Sequence, residues 1–174
     1  MTRFDLYYPE KREFFQEGAE IFDFASRYTS PFYSRRIGLS PDRETVPILG
    51  GLKLSGKAGR TNIGALTMQT DETSAVSSTN YSVVRVKRDI LDKSSFGFIA
   101  TNKEGGGGRW NRAYGADFAY RTDRFLGSRN LQVSGYVAEN RSPGVEHGTH
   151  AGRLYVRYPN DLLYIYLLYH AIGE

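Results

Sequence analysis

From Val46 to the end of the chain, the sequence is a succession of eight short segments in which apolar and polar residues alternate. In the stretch RVKR, for example, Val86 stands between Arg85 and Lys87. Alternation with period two sends successive side chains to opposite faces of a β-strand, so each segment predicts a strand with one apolar face. The predicted strands cover approximately residues 46–56, 60–70, 79–89, 94–102, 111–121, 130–139, 149–158 and 161–172. No segment after Val46 has the periodicity or length of a helix, so the predicted fold class is all-β.

The connections between these segments differ in length in a regular way. Tight links at 57–59 and 159–160 contrast with long polar links at 71–78 and 140–149. Moderate links at residues 90–94 and 122–129 flank the link NKEGGGGRW at 102–110, so that shorter and longer connections alternate along the chain. An antiparallel meander whose loops are short at one end and long at the other is typical of a transmembrane β-barrel, and strands of ~9–11 residues suffice to cross a bilayer. The sequence therefore predicts an antiparallel meander of about eight strands that forms part of an outer-membrane β-barrel.

Two faces of this sheet follow from the alternation. The apolar face is predicted to hold Val84, Val86, Phe96, Phe98, Phe118, Leu131, Val133, Leu154, Val156, Leu163, Ile165 and Leu167. The opposite face is predicted to hold Arg85, Lys87, Asp117, Arg121, Arg153 and Arg157. Because an arginine facing lipid near the midplane costs roughly 2–4 kcal/mol, this polar face is expected to line the lumen of the barrel.

The stretch PEKREFFQEGAE (residues 9–20) concentrates charge ahead of the first strand, with Glu10, Glu13, Glu17 and Glu20 at helical spacing. Carboxylates on one helix face suit general acid–base chemistry. Glycoside hydrolysis, however, needs a second acid across a sugar site, and the sequence identifies none. The structural interpretation is a short helical turn or plug-like segment that begins near Pro9 and stops at Gly18.

The charges of this stretch lead to a specific hypothesis. Glu10, Arg12, Glu13 and Glu17 are candidate ion-pair partners, and one of the three acids is expected to contact at least one lumen arginine. The interior would then be closed and plugged. If the arginines stay solvated instead, the pore favours anions.

Other candidate sites are weaker. Glu146, His147 and His150 offer three potential metal ligands, but they lie in a predicted loop that fixes no common face, so no metal site is expected. The GGGG at 105–108 lacks the Lys-Ser/Thr ending of a phosphate-binding loop and is interpreted as a flexible loop tip. No GxSxG nucleophile motif occurs. His170 is expected at an interface or in the lumen, and Trp110 and Tyr114 fit an interfacial aromatic girdle.

Composition excludes several classes. The formal charge is only +4 and the basic residues are dispersed, so a nucleic-acid partner is not expected. The absence of cysteine rules out disulfides and thiolate metal sites, and no cofactor is expected. The longest apolar run, 162–172, is shorter than the ~20 residues of a membrane-spanning helix. The N-terminal residues show no apolar signal-peptide core.

Four motifs carry a resemblance to a known family. They are PEKREFFQEG (9–18), FYSRRIG (32–38), VPILGGLKLSGKAG (46–59) and TNYSVVRVKRDIL (79–91). In this order they resemble the bacterial domain of unknown function 5916 family. The resemblance implies an outer-membrane barrel that follows a family-9-like carbohydrate-binding module, of which this chain would cover part of the barrel.

The expected organisation is an N-terminal segment (1–45) followed by the barrel meander (46–174), which the resemblance implies is truncated at both ends. The preferred function is a structural or transport-related outer-membrane barrel segment without chemistry of its own, whose partner is outer-membrane lipid. Two alternatives remain open. One is a part of a carbohydrate-active envelope protein, in which a glycan would bind through the upstream module. The other is a soluble sugar-binding β-sandwich, in which the apolar faces meet each other instead of lipid.

Overall fold

The computed structural model describes residues 9–24, 30–145, 148–160 and 162–173. One short helix, α1 (Glu13–Gln16), and two 3₁₀ turns (Ala19–Phe22 and Ser34–Arg36) precede the sheet. The eight strands are β1 (Ile48–Ala58), β2 (Thr61–Thr70), β3 (Thr79–Leu91), β4 (Ser94–Gly105), β5 (Trp110–Phe125), β6 (Arg129–Arg141), β7 (Thr149–Pro159) and β8 (Tyr164–Gly173). All eight predicted strands are confirmed, and most extend beyond their predicted ends.

The strands form one sheet in the order β1-β2-β3-β4-β5-β6-β7-β8, and each pairs antiparallel with its neighbour in the chain. The sheet is an uninterrupted meander, as predicted, and it does not close, because β1 and β8 are its two edges. Two-residue turns at 59–60 and 92–93 lie at one end, whereas the links that leave β2 and β6 lie at the other. We call these the short-turn end and the long-loop end.

The pairing register confirms the predicted apolar face. Directly opposed residues share a face, and Val86 pairs with Phe98, which in turn pairs with Ala116. Across the sheet, the same rule places Val84, Val86, Phe96, Phe98, Phe118, Leu131, Val133, Leu154, Val156, Ile165 and Leu167 on one surface. Leu163 immediately precedes β8. We call this surface the apolar face, and many of its large side chains are exposed, for example Phe98 at 45%.

The opposite surface, which we call the charged face, carries the packed core. The N-terminal segment (residues 9–24 and 30–46) lies over it and contributes Phe15, Phe22, Phe24 and Ile37 to one cluster. The strands contribute Leu66, Met68, Val83, Ile99 and Tyr136. Ile99 and Ile37 are at most 1% exposed, so this contact excludes water as a globular core does. The hydrophobic effect thus attaches the N-terminal segment to the face that also bears the buried charges.

Two glycines on the charged face make room for this segment. A Cβ atom at Gly64 would lie 2.5 Å from the side chain of Ile21 and 3.0 Å from the ring of Phe22. A Cβ atom at Gly115 would lie 2.6 Å from the ring of Phe24. Each glycine therefore forms a depression in the sheet that receives an apolar side chain of the segment.

Candidate functional site: the charged face

The register places all six predicted polar residues on the charged face. Arg85 lies opposite Gly64 and Ile99, whereas Lys87 lies opposite Gly97. Asp117 and Arg153 both lie opposite Tyr136, on either side of β6. Arg121 and Arg157 likewise both lie opposite Gln132. That this surface lines a lumen stays a prediction.

The closest charge contact of this face joins Arg85 of β3 and Asp117 of β5. The Nη1 atom of Arg85 donates a hydrogen bond to Oδ1 of Asp117 over 2.5 Å, and the Arg85 side chain is fully buried. The two strands are not neighbours, because β4 lies between them. The guanidinium therefore crosses β4, and it does so over Gly97, where a Cβ atom would lie 2.6 Å from Nη1. Gly97 is what allows this ion pair to form.

The N-terminal segment covers the same ion pair. The ring of Phe24 lies 5.6 Å from the guanidinium carbon of Arg85 and packs edge-on against Tyr136 at 5.4 Å. A cation over an aromatic ring is stabilised by the ring quadrupole, more so when water is excluded. Within the described residues, Nε and Nη2 of Arg85 have no hydrogen-bond partner. Burying the two charges costs desolvation free energy, which the strong hydrogen bond between them offsets. Removing either charge alone is expected to lower the free energy of unfolding by about 3–5 kcal/mol, because the other charge stays buried without a partner.

A second, more accessible group of side chains extends along β6, β7 and β8. The hydroxyl of Tyr136 lies 3.3 Å from Nε2 of His170, and Arg153 is directly opposite both residues. Further along, Arg157 stacks over the ring of Tyr164 at 5.7 Å. Tyr155 and Tyr166 meet edge-to-face at 5.3 Å. The charged face thus combines cations with aromatic rings here, and His170 lies on the same face.

The hypothesis that Glu10, Glu13 or Glu17 neutralises a lumen arginine is wrong for the described residues. Glu10 pairs with Arg12 at 2.8 Å and accepts a hydrogen bond from the Ser34 hydroxyl, also at 2.8 Å. Arg12 is two residues away in the chain, whereas Ser34 belongs to the second 3₁₀ turn, 24 residues further on. No ion pair joins any of the three acids to a strand arginine in the part of the chain that the structure describes. Asp117, a strand residue, neutralises Arg85 instead.

Arg12 has a further role in the N-terminal segment. Its two terminal nitrogens donate to the carbonyl oxygens of Ile37 (2.8 Å) and Ser34 (2.9 Å). Burial raises the pKa of the Glu10 carboxyl, but hydrogen bonds from Arg12 and Ser34 outweigh this effect and lower the pKa to about 2. The Glu10–Arg12 pair therefore joins the start of the segment to residues 34–37. Lys53 of β1 fastens the same region to the sheet, since its amine donates to the carbonyls of Phe14 and Glu17.

The other predicted sites have varied outcomes. Glu146 and His147 lie outside the described residues, and no group of three metal-ligating side chains occurs among the residues that are described. The glycine run forms a defined turn between β4 and β5, closed by a hydrogen bond from the amide of Gly105 to the carbonyl of Arg109. Gly107 and Gly108 have positive φ angles, which explains the need for glycine there. Trp110 begins β5, and Tyr114 lies on the apolar face beside Ala100.

The alternation of the sequence does not predict the role of the glycines at the site. Gly64, Gly97 and Gly115 lie in strands and look like interruptions of the pattern, although each makes space for a particular side chain. The available signal was that isolated glycines inside strands mark close approaches. Their partners could not be read from the alternation, because those partners come from distant parts of the chain.

The fold and the site define a class: an all-β chain built as one antiparallel meander, with an exposed apolar face and a charged face covered by its own N-terminal segment. The family model described as Domain of unknown function (DUF5916) matches residues 1–62, about a third of the chain. This match confirms the resemblance over the first three quoted motifs, whereas TNYSVVRVKRDIL lies beyond it. No curated protein and no solved structure matches the chain. Among the described residues, no helix has the length and apolar character to span a membrane.

Proposed function

We propose that this chain forms part of the wall of a bacterial outer-membrane β-barrel, with its apolar face toward lipid and its charged face toward the lumen. The N-terminal segment would then be a plug held on the lumen side. The role is structural or transport-related, with no chemistry in the strands themselves. The family resemblance implies a carbohydrate association for the whole protein, and that association stays a prediction.

One observation carries this proposal: the face of the sheet that the N-terminal segment does not cover exposes large apolar side chains, whereas an arginine on the covered face is buried. Leu52, Leu54 and Val137 on the apolar face are 76%, 65% and 65% exposed, whereas Arg85 on the other face is 0% exposed. An apolar surface that extends over eight strands far exceeds the patches that soluble monomers expose. Lipid is the environment in which such a surface needs no further cover.

The margins of the apolar face support the same orientation. Toward the long-loop end, the apolar residues give way to a hydrogen-bonded polar row, in which Ser82 donates to Thr67 (3.2 Å) and Arg112 donates to Asn102 (3.1 Å). Toward the short-turn end, Arg88 and Thr122 mark the other margin. Along β5, the ten steps from Arg112 to Thr122 at ~3.3 Å each, tilted by ~40°, span roughly 25 Å, which is the height of the apolar band of a membrane barrel.

The soluble β-sandwich is the alternative that this geometry opposes. A sandwich needs a second sheet on the apolar face, and the described strands form only one sheet. The charged face is already occupied by the N-terminal segment. Neither face is therefore arranged to receive a partner sheet from the described part of the chain.

Cell fractionation tests the proposal. The protein is expected in the outer-membrane fraction, to stay there through high-salt and alkaline-carbonate washes, and to be released by detergent. Recovery of the folded protein in the soluble fraction without detergent would overturn the membrane assignment and favour the sandwich. Release by salt alone would indicate a peripheral protein bound by charge.

A further inference from the structure

A cleft at the long-loop end, away from the Arg85–Asp117 pair, has the features of a ligand site. One wall is the N-terminal segment from Arg36 to Val46, including the turn around Ser40. The other wall is formed by the ends of β3 and β4 with the two loops that follow β2 and β4. Its floor includes Val46 and the buried Thr70. The cleft opens where a barrel of this orientation would have its mouth.

The cleft is cationic. Arg36, Lys103 and Arg109 line it, and none of the lining residues in the described part of the chain carries a carboxylate. Lys103 and Arg109 form no ion pair in the described part of the chain; the amine of Lys103 instead lies 5.5 Å from the Tyr81 ring centre. Cations gathered on one concave surface without acids raise the local concentration of anionic ligands.

Aromatic and hydroxyl groups accompany these cations. Tyr81 lines the cleft with a ring on the charged face. Trp110 borders the cleft at the start of β5, but its indole lies with Arg112 on the apolar face. Ser40, Thr79 and Asn111 add polar side chains to the same lining. An aromatic ring binds the apolar face of a flat or ring-shaped ligand, while hydroxyls and amides orient its polar edge.

The walls are held in place by contacts between the loops. The Nη2 atom of Arg109 donates to the Ser77 hydroxyl (2.7 Å), and its Nε donates to the carbonyl of Gly106 (3.1 Å). On the facing wall, Leu39 pairs with Thr45 as an isolated β-bridge. The Ser40 amide donates to the Glu44 carbonyl over 2.9 Å. A site whose walls are already ordered loses less entropy when a ligand binds.

We propose that this cleft binds an acidic saccharide, that is, a sugar ring bearing a carboxylate or phosphate group. Lys103 and Arg109 bind the anionic group, and Arg109 is already oriented by Ser77. Tyr81 contacts the ring, and the lining hydroxyls contact its hydroxyl groups. This assignment does not depend on which environment surrounds the apolar face. Saccharide binding can therefore fail while the membrane proposal holds, and the membrane proposal can fail while saccharide binding holds.

Trp110, the only tryptophan in the chain, begins β5 at the edge of the cleft and provides a nearby fluorescence reporter. The full-length protein would be titrated with trigalacturonate, with neutral maltotriose and with inorganic phosphate, following both Trp110 emission and heat by calorimetry. We expect saturable binding of trigalacturonate, weakened at least tenfold in Lys103→Gln and in Arg109→Gln. The matched control is Arg60→Gln, an exposed cation at the short-turn end, which should bind as the unchanged protein does.

Three outcomes would overturn the assignment. No trigalacturonate binding by either method removes the site. Equal binding of maltotriose shows that charge plays no part. Phosphate binding as tight as trigalacturonate, with the same sensitivity to both variants, indicates an anion site without sugar recognition. Far-UV circular dichroism of each variant shows that loss of binding is not loss of the sheet.

Discussion

At the scale of single residues, Gly97 determines whether the two buried charges of the sheet can meet. Arg85 reaches Asp117 across β4 only because no side chain stands at residue 97. The guanidinium cannot be displaced toward solvent, since Phe24 lies over it. A methyl group at this position must therefore either displace the ion pair or distort the strand.

We expect Gly97→Ala to lower the free energy of unfolding by about 1–3 kcal/mol, through overpacking and weakening of the ion pair. Denaturant unfolding in lipid vesicles or detergent measures this. Gly56→Ala is the matched control, because a Cβ atom there has nothing within 4 Å, and it should be close to neutral. Equal effects of the two substitutions would mean that the Arg85 side chain does not cross β4 at Gly97.

Glu10 gives the N-terminal segment a pH dependence. Its pKa in the folded chain is about 2, below the ordinary value of 4.5, so the unfolded chain binds the proton more readily. The stabilisation from the Glu10 carboxylate is therefore complete above about pH 4.5 and is lost as the pH falls toward 2.

We expect the segment around Glu10 to loosen between about pH 4.5 and 2, as seen by hydrogen exchange of the amides at 10–16. The variant Glu10→Gln keeps the shape but not the charge, so it should show the looser state already at neutral pH. Its own exchange should change little over that pH range. Glu13→Gln, which removes an exposed carboxylate from the same turn, is the control. A pH response that persists in Glu10→Gln would place the titration elsewhere.

At the scale of elements, the N-terminal segment is attached to the sheet through a few apolar contacts. Phe24 is 8% exposed, lies in the depression at Gly115 and touches Tyr136. Phe14 belongs to the same segment but is 41% exposed. Substituting each phenylalanine in turn therefore distinguishes the effect of docking on the sheet from the effect of losing any apolar side chain of the segment.

We expect Phe24→Ala to cost about 3–5 kcal/mol of docking free energy, because a large cavity opens beside a buried arginine. Limited proteolysis should then cleave the N-terminal segment quickly while β1 to β8 stay resistant. Phe14→Ala should leave the cleavage rate within a few-fold of the unchanged protein. Rapid cleavage of the strands in Phe24→Ala would show instead that segment and sheet unfold as one unit.

The elements also show how far the sequence could be interpreted. Period-two alternation predicts all eight strands and the apolar face. It does not predict that the opposite face carries both the charged residues and the packed core, because that core depends on the N-terminal segment. The partner of Arg85 could not be predicted, since Asp117 is 32 residues away and their contact depends on the register of two strand pairs. The pairing of Glu10 with Arg12 could not be predicted either, because the two residues are only two positions apart and helical spacing does not bring such residues together.

At the scale of the whole molecule, the two faces of the same strands lie in different environments. The N-terminal segment covers the charged face around Arg85, and there Asp117 and the ring of Phe24 compensate the desolvated guanidinium. The apolar face has no cover among the described residues. Val86, opposite Ile63 and Phe98, lies within this apolar region, whereas Asn80 of the same strand lies in the polar margin beside Gln69. An arginine introduced at each position therefore measures the environment of the sheet at two depths.

In lipid vesicles, we expect Val86→Arg to lower the free energy of unfolding by about 2–4 kcal/mol, because the guanidinium must enter hydrocarbon. Asn80→Arg should cost only ~0–1 kcal/mol, since its side chain reaches the headgroups. Denaturant titration followed by Trp110 fluorescence compares the two variants directly. In a water-exposed sheet both substitutions would change stability by no more than about 0.5 kcal/mol. Two small and equal effects would therefore contradict the membrane orientation, whereas the depth dependence is specific to a face in contact with lipid.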